Sequence, residues 1–517
     1  MRRLIESSSL SSVFLASVVL AAGCGNSTMV SGGADGGVVT HDMATGSTPD
    51  MTSAGDMAMP AVLAGTILSP GQFILLGITT DDQIIGANLK GGALTAVAAA
   101  GGKTTIVSAM NSASSIHGKT VFSWAGITSM VNVGALTVWN AGLGAPATVA
   151  MTSIGGVSAT SDDGSLIFYS DNALSDASAA DIYVSKIDGS GAHKIATAAN
   201  ATMTCDPFGH FTKNNKFVFR TCDSGIDGGA MGAAIFAVDP ATGASKPLLD
   251  GLGDFFAVDP NGTYALVTDT NMAALLVPIA GGKPIMVDTA FKDGLFLPDG
   301  SAIIYVTMDG KLKRATVGAN PAPVTLVGSN VTVFQKWFAS QTTYPALSAD
   351  GKWIMISNVF DPKTGLGDLS IASTLTPGAA IPISTDPKSI IFGDPFTSDS
   401  KYTLFYTGLS QVTAGLVGKF VTTPITGGMP AQFAKSVWVS FAGTGSLAVY
   451  NDNYKPGLKG SNGRGDLRSA DAASPTMSKL LATQAEADFY MTAKKDKAAY
   501  AYTINMTQAG IYIVPIQ

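Results

Sequence analysis

A tight Asp-Gly turn followed by a short run of large apolar residues recurs along this chain at a nearly regular interval. It is clearest in Leu347-Ser348-Ala349-Asp350-Gly351-Lys352-Trp353-Ile354-Met355-Ile356-Ser357. Glycine takes the positive φ that such a turn requires, and aspartate hydrogen-bonds its own backbone nearby. The following run is rich in Ile, Val, Tyr, Phe and Trp, which suit a pleated strand. It is nearly continuous rather than alternating, which predicts a strand covered on both faces. The frame returns at Gly164, Gly262 and Gly300, with weaker copies at Gly71, Gly118, Asn215, Ser400, Gly445 and Asp496. With Gly351 these are ten turns, spaced 38 to 51 residues apart. A period of roughly 40–45 residues with four strands per unit marks a β-propeller.

A second signal lies inside each unit: a short strand ends in a glycine turn and another apolar segment follows. Asp181-Ile182-Tyr183-Val184-Ser185-Lys186-Ile187-Asp188-Gly189 shows it best, and Gly91-Gly92, Gly281-Gly282 and Gly427-Gly428 are read as the same turn. Each unit is then strand, Asp-Gly turn, strand, variable loop, strand, Gly turn, strand. That is one four-stranded antiparallel blade in an all-β chain. Ten units close as one large ring or as two smaller ones. Rings ordinarily hold roughly 4–8 blades, which favours two. No linker interrupts the array, which favours one, and one continuous ring is the expectation. The chain stops after Gly510-Ile511-Tyr512-Ile513-Val514-Pro515-Ile516, which matches a third strand. The last blade is therefore expected to lack its outer strand, the segment before residue 61 being a poor donor for it.

The phrases Ser348-Ala349-Asp350-Gly351-Lys352 and Leu297-Pro298-Asp299-Gly300-Ser301, with the later Asp-Ile-Tyr-Val strand, resemble TolB-type β-propeller repeats. The resemblance covers about residues 61–517, and it implies protein partners in a bacterial envelope. Asn214-Asn215, Asp399-Ser400 and Lys495-Asp496 replace Asp-Gly in three copies, which blurs the blade boundaries there.

The N-terminus addresses the compartment. Arg2 and Arg3 precede a short apolar run, Leu10 to Ala22, and then Leu20-Ala21-Ala22-Gly23-Cys24. A basic start, an apolar core and a small-residue cleavage site make a secretory signal. The cysteine after Ala-Gly resembles the lipobox of bacterial lipoproteins, with Ala21 where leucine is commoner. The resemblance implies a signal peptide over 1–23 and lipidation of Cys24. A simple cleaved signal with an incidental cysteine is the other reading. Gly25 stands where aspartate retains some lipoproteins, so its presence implies an outer-membrane lipoprotein facing the periplasm or the cell surface.

Residues 25–60 hold mainly Gly, Ser, Thr, Ala and Met with four aspartates, and no aromatic, Lys or Arg. Such a segment cannot bury a core and is expected to be a disordered tether. As a flexible coil it would span roughly 30–36 Å end to end. Past residue 24 no stretch reads as a spanning helix. Thr120 to Ser161 is uncharged, but Ser, Thr, Asn and Gly interrupt it throughout. A net charge of −6 with 13% charged residues carries no basic excess, which argues against nucleic acid as a partner.

With Cys24 lipidated, Cys205 and Cys222 remain. They flank the hairpin at Asn214-Asn215 at similar distances, so a disulfide is expected in an oxidising compartment, with two separate thiols as the alternative. Four histidines (His41, His117, His193 and His210) stand apart from one another, without metal-ligand spacing. No serine elbow, zinc-protease motif or phosphate loop occurs. No catalytic residue, metal ligand or cofactor is therefore assigned.

Arg464-Gly465-Asp466 reads as the start of a third strand rather than an adhesion tripeptide, by analogy with Asp181-Ile182. Lys455, Lys459, Arg464 and Arg468 form a small basic loop, solvated or open to an anionic partner. The acidic loops Asp171–Asp181 and Asp223–Asp227 do not follow a calcium-loop pattern. Trp124, Trp353 and Trp438 fall where blades pack. The functional expectation is a lipid-anchored envelope propeller that binds or scaffolds protein. The alternative is a propeller-type hydrolase or lyase acting on polysaccharide or a lactone at the ring mouth. A third reading, an outer-membrane barrel, conflicts with the lipobox and the blade period.

Overall fold

Along the strand Ala302–Thr307, every residue is buried, and successive side chains enter different cores. Ile303 and Tyr305 pack with Leu266, Ala274 and Leu276 of the preceding sheet. Ala302, Ile304 and Val306 pack with Ile354 and Ile356 of the following one. Period-2 alternation thus sends one strand's side chains to two neighbours, so both faces must be apolar. Burying each such aliphatic side chain is worth roughly 1.5–3 kcal/mol.

The computed structural model describes residues 63–517 apart from 90–91, 108–111, 128–132, 201–207, 223–232, 335, 340–341, 346, 362–365, 392, 413–414, 456–462 and 505–506. Cys24, Cys205 and the 25–60 segment lie outside the described residues. Strands account for the regular structure, in ten small antiparallel sheets that form a ten-bladed β-propeller. Blade 1 runs from Phe73–Ile78 to Lys103–Val107, and the blades follow in chain order to blade 10, Phe489–Met491 to Gly510–Pro515. Ten apolar clusters each bridge one pair of neighbouring blades, and one of them joins blade 10 to blade 1. In that seam Phe73, Leu75, Ile84 and Val97 pack against Ala499, Ala501 and Ile511. One ring closes, not two.

The last blade does have its fourth strand, contrary to expectation. Thr66–Pro70 pairs antiparallel with Gly510–Pro515, in register Thr66 with Ile513 and Pro70 with Gly510. Just before it, Leu63 bridges to Ala482 of blade 9, and Ala64 N donates to Leu481 O at 3.0 Å. The donor begins just past the polar 25–60 segment, where apolar Ile67 and Leu68 can serve a strand.

The tight turns between the first and second strands of the blades share one conformation. Asp82, Gly118, Gly164, Asn215, Gly262, Gly300, Gly351, Ser400, Gly445 and Lys495 have φ between 54° and 70°. Two expected positions need correction. Gly71 lies between Thr66–Pro70 and Phe73–Ile78, so the first unit is one strand out of the expected frame. The connection that holds Gly92 therefore joins the second and third strands, and the left-handed residue of the tight turn is Asp82. In blade 10 that residue is Lys495 rather than Asp496. In six turns a Ser or Thr three residues earlier shapes the loop, as Ser348 does. It donates to Asp350 Oδ1 at 2.7 Å and accepts from Trp353 N at 3.0 Å. The bond from Ser348, with another from Lys352 N, holds the Asp350 carboxyl below its usual range against the opposing effect of burial.

Blades 4, 5 and 7 depart from the pattern. The fourteen-residue strand Ser245–Val258 is both the outer strand of blade 4 and the inner strand of blade 5. In blade 7 the innermost strand is split: Val333–Phe334 and Leu347 pair with Trp353–Ser357 on either side of a hairpin, Lys336–Ala339 with Thr342–Pro345.

Candidate functional site

The two faces of the ring differ. On one, the left-handed turns link blade to blade: Thr80 N to Gly118 O at 2.9 Å and Asp399 N to Gly445 O at 3.1 Å. Asn215 Nδ2 likewise donates to Asp163 Oδ2 at 3.2 Å. On the other, the connections from second to third strands range from two residues, 413–414, to ten, 223–232. Leu89, Leu174, Met272, Met308, Val359 and Ile504 are exposed on these connections. Variable connections on a rigid scaffold are where binding residues gather.

On this loop face, polar groups converge at the seam of blades 9, 10 and 1. Arg464 opens the third strand of blade 9, Arg464–Asp471, and is the register partner of Glu486 at the end of Lys479–Glu486. Its Nε donates to Glu486 Oε1 at 3.2 Å and its Nη2 to Thr503 Oγ1 at 3.2 Å. Thr503, from blade 10, donates its hydroxyl to the same carboxylate oxygen. Gln72, entering blade 1, donates to Thr503 O at 3.3 Å. Glu486 is nearly enclosed, with 13% of its side chain exposed, while Arg464 keeps 43%. Two of the five guanidinium N–H groups are used among the described residues.

An aromatic pair adjoins this cluster. Trp438 stacks on Tyr454 with ring centres 5.1 Å apart, over Val417 and Ala487. Gly463 lies against Tyr454, where a Cβ would sit 2.6 Å from its hydroxyl. Gly463 O accepts from Ala487 N at 3.0 Å, which fixes Arg464 beside Glu486. Burial, with Asp488 adding to it, pushes the Tyr454 hydroxyl up to about 12. A carboxylate held by Arg464 and Thr503, a partly exposed guanidinium and the neighbouring Trp438–Tyr454 stack make a polar and aromatic cluster at this seam.

The residues singled out from sequence are placed as follows. Cys222 ends the strand Phe217–Cys222, while its expected partner Cys205 is outside the described residues. His117, His193 and His210 sit on blades 2, 3 and 4, and His41 is outside the described residues. Burial lowers the His117 imidazole to about 4. His210, on an innermost strand, is open to water yet surrounded closely enough to depress its imidazolium, with Asp162 pulling the other way. Among the described residues, no three His, Cys, Asp or Glu come together to hold a metal.

Arg464-Gly465-Asp466 is built into a sheet, with Asp466 accepting from Asn453 Nδ2 at 2.9 Å. The basic loop is partly neutralised, since Arg468 lies 3.4 Å from Asp452 and Arg464 is paired. In the acidic loop of blade 3, Asp171 accepts from Thr152 N and Asp181 from Asn172. Trp124 is fully buried between blades 2 and 3, its Nε1 donating to Ser153 Oγ at 3.1 Å. Sequence reasoning missed the Glu486–Arg464–Thr503 cluster. Its members lie 22 and 39 residues from Arg464, and only strand register and blade order join them.

No protein-family model and no curated protein sequence matches the chain. Among solved structures, a eukaryotic initiation factor is similar at 13% identity and TM-score 0.46, over 73% of this chain and 96% of that one. Oligogalacturonate lyase in complex with manganese is similar at 9% identity and TM-score 0.35, over 88% and 98%. Tricorn protease is similar at 11% identity and TM-score 0.28, over 86% and 61%. At such identities the likeness is one of fold and says nothing of activity.

Proposed function

We propose that this chain is a protein-binding or scaffolding platform of the bacterial cell envelope, held by lipid on Cys24 at the end of the 25–60 tether. The observation that supports it best is the asymmetry of the ring. One face is tied together by uniform turns, while the other presents second-to-third-strand connections of unequal length. Variable connections on a rigid scaffold suit a partner surface. The test is a photocrosslinking residue at Leu174 or Val359 on the loop face, and at Lys352 on the turn face, in intact cells. Discrete adducts from the loop face alone are expected; adducts from neither face, or only from Lys352, count against the reading. Anchoring is tested separately: Cys24→Ala should move the protein from the membrane to the soluble fraction.

A second reading is a propeller-class enzyme, a hydrolase or lyase on polysaccharide or a lactone. The convergence of Glu486, Arg464 and Thr503 from two blades favours it. Turnover of an acidic polysaccharide or a lactone that Glu486→Gln abolishes, with the ring intact, would establish it over the platform.

A further inference from the structure

In three seams an acidic residue near the end of a blade's outer strand reaches the next blade. Asp288 of blade 5 accepts from Tyr305 Oη and Lys313 Nζ of blade 6, each at 2.8 Å. Glu486 of blade 9 accepts from Arg464 and from Thr503 of blade 10. Asp386 of blade 7 meets blade 8 through its backbone: Gly408 N donates to Asp386 Oδ2 at 2.8 Å, while Lys388 N donates to Oδ1 at 2.9 Å. Lys388 and Lys419, the register partner of Thr407, are exposed and form no ion pair with it. The strand Ile381–Ser389 puts Asp386 there. Its register passes from Ser384 opposite Leu369 to Ser389 opposite Gly367, so Thr385–Lys388 bulge out of the ladder. The other two seams bring a cation to the carboxylate; this one orients the carboxylate and brings none.

The same carboxylate stands in a groove of about 360 Å³ between blades 7 and 8, on the outer wall of the ring. Ile383 and Val421, both nearly enclosed in the seam core, form its floor. Pro430 and Met429 stand at its rim, and Met429 is 90% exposed. Among the residues that line the groove, Asp386 is the one that carries a charge. Its volume falls in the range of roughly 300–1,000 Å³ that ligand sites occupy. An apolar wall beside an oriented, unpaired carboxylate fits a long cationic side chain. The carboxylate meets the charged head, and the wall covers the methylene stem. An apolar neighbour on the same segment has Met429, an adaptable side chain, to pack against.

We propose that this groove docks a basic segment of a protein partner, with a lysine or arginine on Asp386 and an adjacent apolar side chain against Met429. The site lies apart from the loop face and does not depend on a partner there. The test labels the methionine methyls of the full chain with carbon-13 and follows Met429 by NMR, its signal assigned from Met429→Leu. The probes are the blocked peptide Ala-Leu-Lys-Leu-Ala and the same peptide with Glu for Lys. The lysine peptide should shift the Met429 signal saturably, and the glutamate peptide should not. Added salt should weaken the binding, and Asp386→Asn should weaken it about tenfold or more. Met355, buried in the same seam core, reports the fold, and its signal should stay in place in the variant. Where it moves, the two peptides and the salt series on the unaltered chain decide instead. Equal shifts from both peptides, no shift from either, or a shift that Asp386→Asn leaves unchanged in a folded ring overturns the proposal. So does an equal shift from spermidine alone, which would make the groove a small-cation site.

Discussion

Asp82 accepts a 2.7 Å hydrogen bond from the backbone amide of Ala493, across 411 positions of chain. The bond joins the tight turn of blade 1 to that of blade 10, so the link between neighbouring turns extends across the closure. Asp82 also holds the left-handed conformation of its own turn, at φ 61°. Replacing it by alanine removes the acceptor and keeps the strain. Asp82→Ala should lose about 1–2 kcal/mol in urea unfolding. Asp82→Gly should lose less, because it relieves the backbone.

Closure rests on the strand Thr66–Pro70. Removing residues 63–70 strips the outer strand from blade 10 and opens the edge Gly510–Pro515. The expected cost is on the order of 3 kcal/mol or more, from lost apolar burial and strand hydrogen bonds. Removing residues 25–60 should leave the unfolding midpoint unchanged. Equal effects of the two deletions would contradict the closure.

Two glycines separate backbone strain from steric conflict. Gly118 has φ 59° and open space where a Cβ would stand, so Gly118→Ala should cost only the left-handed strain, ~1–2 kcal/mol. At Gly65, φ 102°, a Cβ would lie 2.2 Å from Ile513 O. Gly65→Ala must displace the closing strand and should lower the melting temperature further than Gly118→Ala.

Stability should fall at both ends of the pH range for stated reasons. His117 titrates near 4 in the fold and near 6.5 unfolded, because burial disfavours its charge. The unfolded chain binds the extra proton first, so stability drops as pH falls from 6.5 toward 4. His117→Gln should flatten that limb by one proton. Tyr454 titrates near 12 in the fold and near 10 unfolded. Stability therefore drops as pH rises from 10 toward 12, and Tyr454→Phe should reduce that slope. Denaturant midpoints measured across pH check both.

Glu486 serves two donors with one oxygen. Removing it as Glu486→Ala should cost about 1 kcal/mol, since Arg464 is partly solvated and recovers water. A double-mutant cycle with Thr503→Ala should show coupling, and additive effects would mean that the cluster does not act as a unit.

Much of the fold is legible in the chain. Ser348-Ala349-Asp350-Gly351 declares its turn because the Asp and Gly roles are local: one hydrogen bond and one positive φ. Substituted copies are legible too, since Asn215 and Ser400 tolerate the same conformation. Blade 1 reads out of frame because Gly71 is also a positive-φ glycine before an apolar run, while the true turn uses Asp82. Local chemistry cannot tell a turn within a blade from a connection between blades. The seam cluster is not legible at all, because Arg464, Glu486 and Thr503 carry no spacing signal.

The sequence by itself determined the strands, the turns and the repeat, because these depend on residues within a few positions of one another. Tertiary structure alone decided that Thr66–Pro70 completes the last blade and that ten units make one ring. It alone placed Glu486 between Arg464 and Thr503 and split the innermost strand of blade 7 around a hairpin. Those outcomes depend on register and on which apolar faces meet, and both are set by packing between segments distant in the chain.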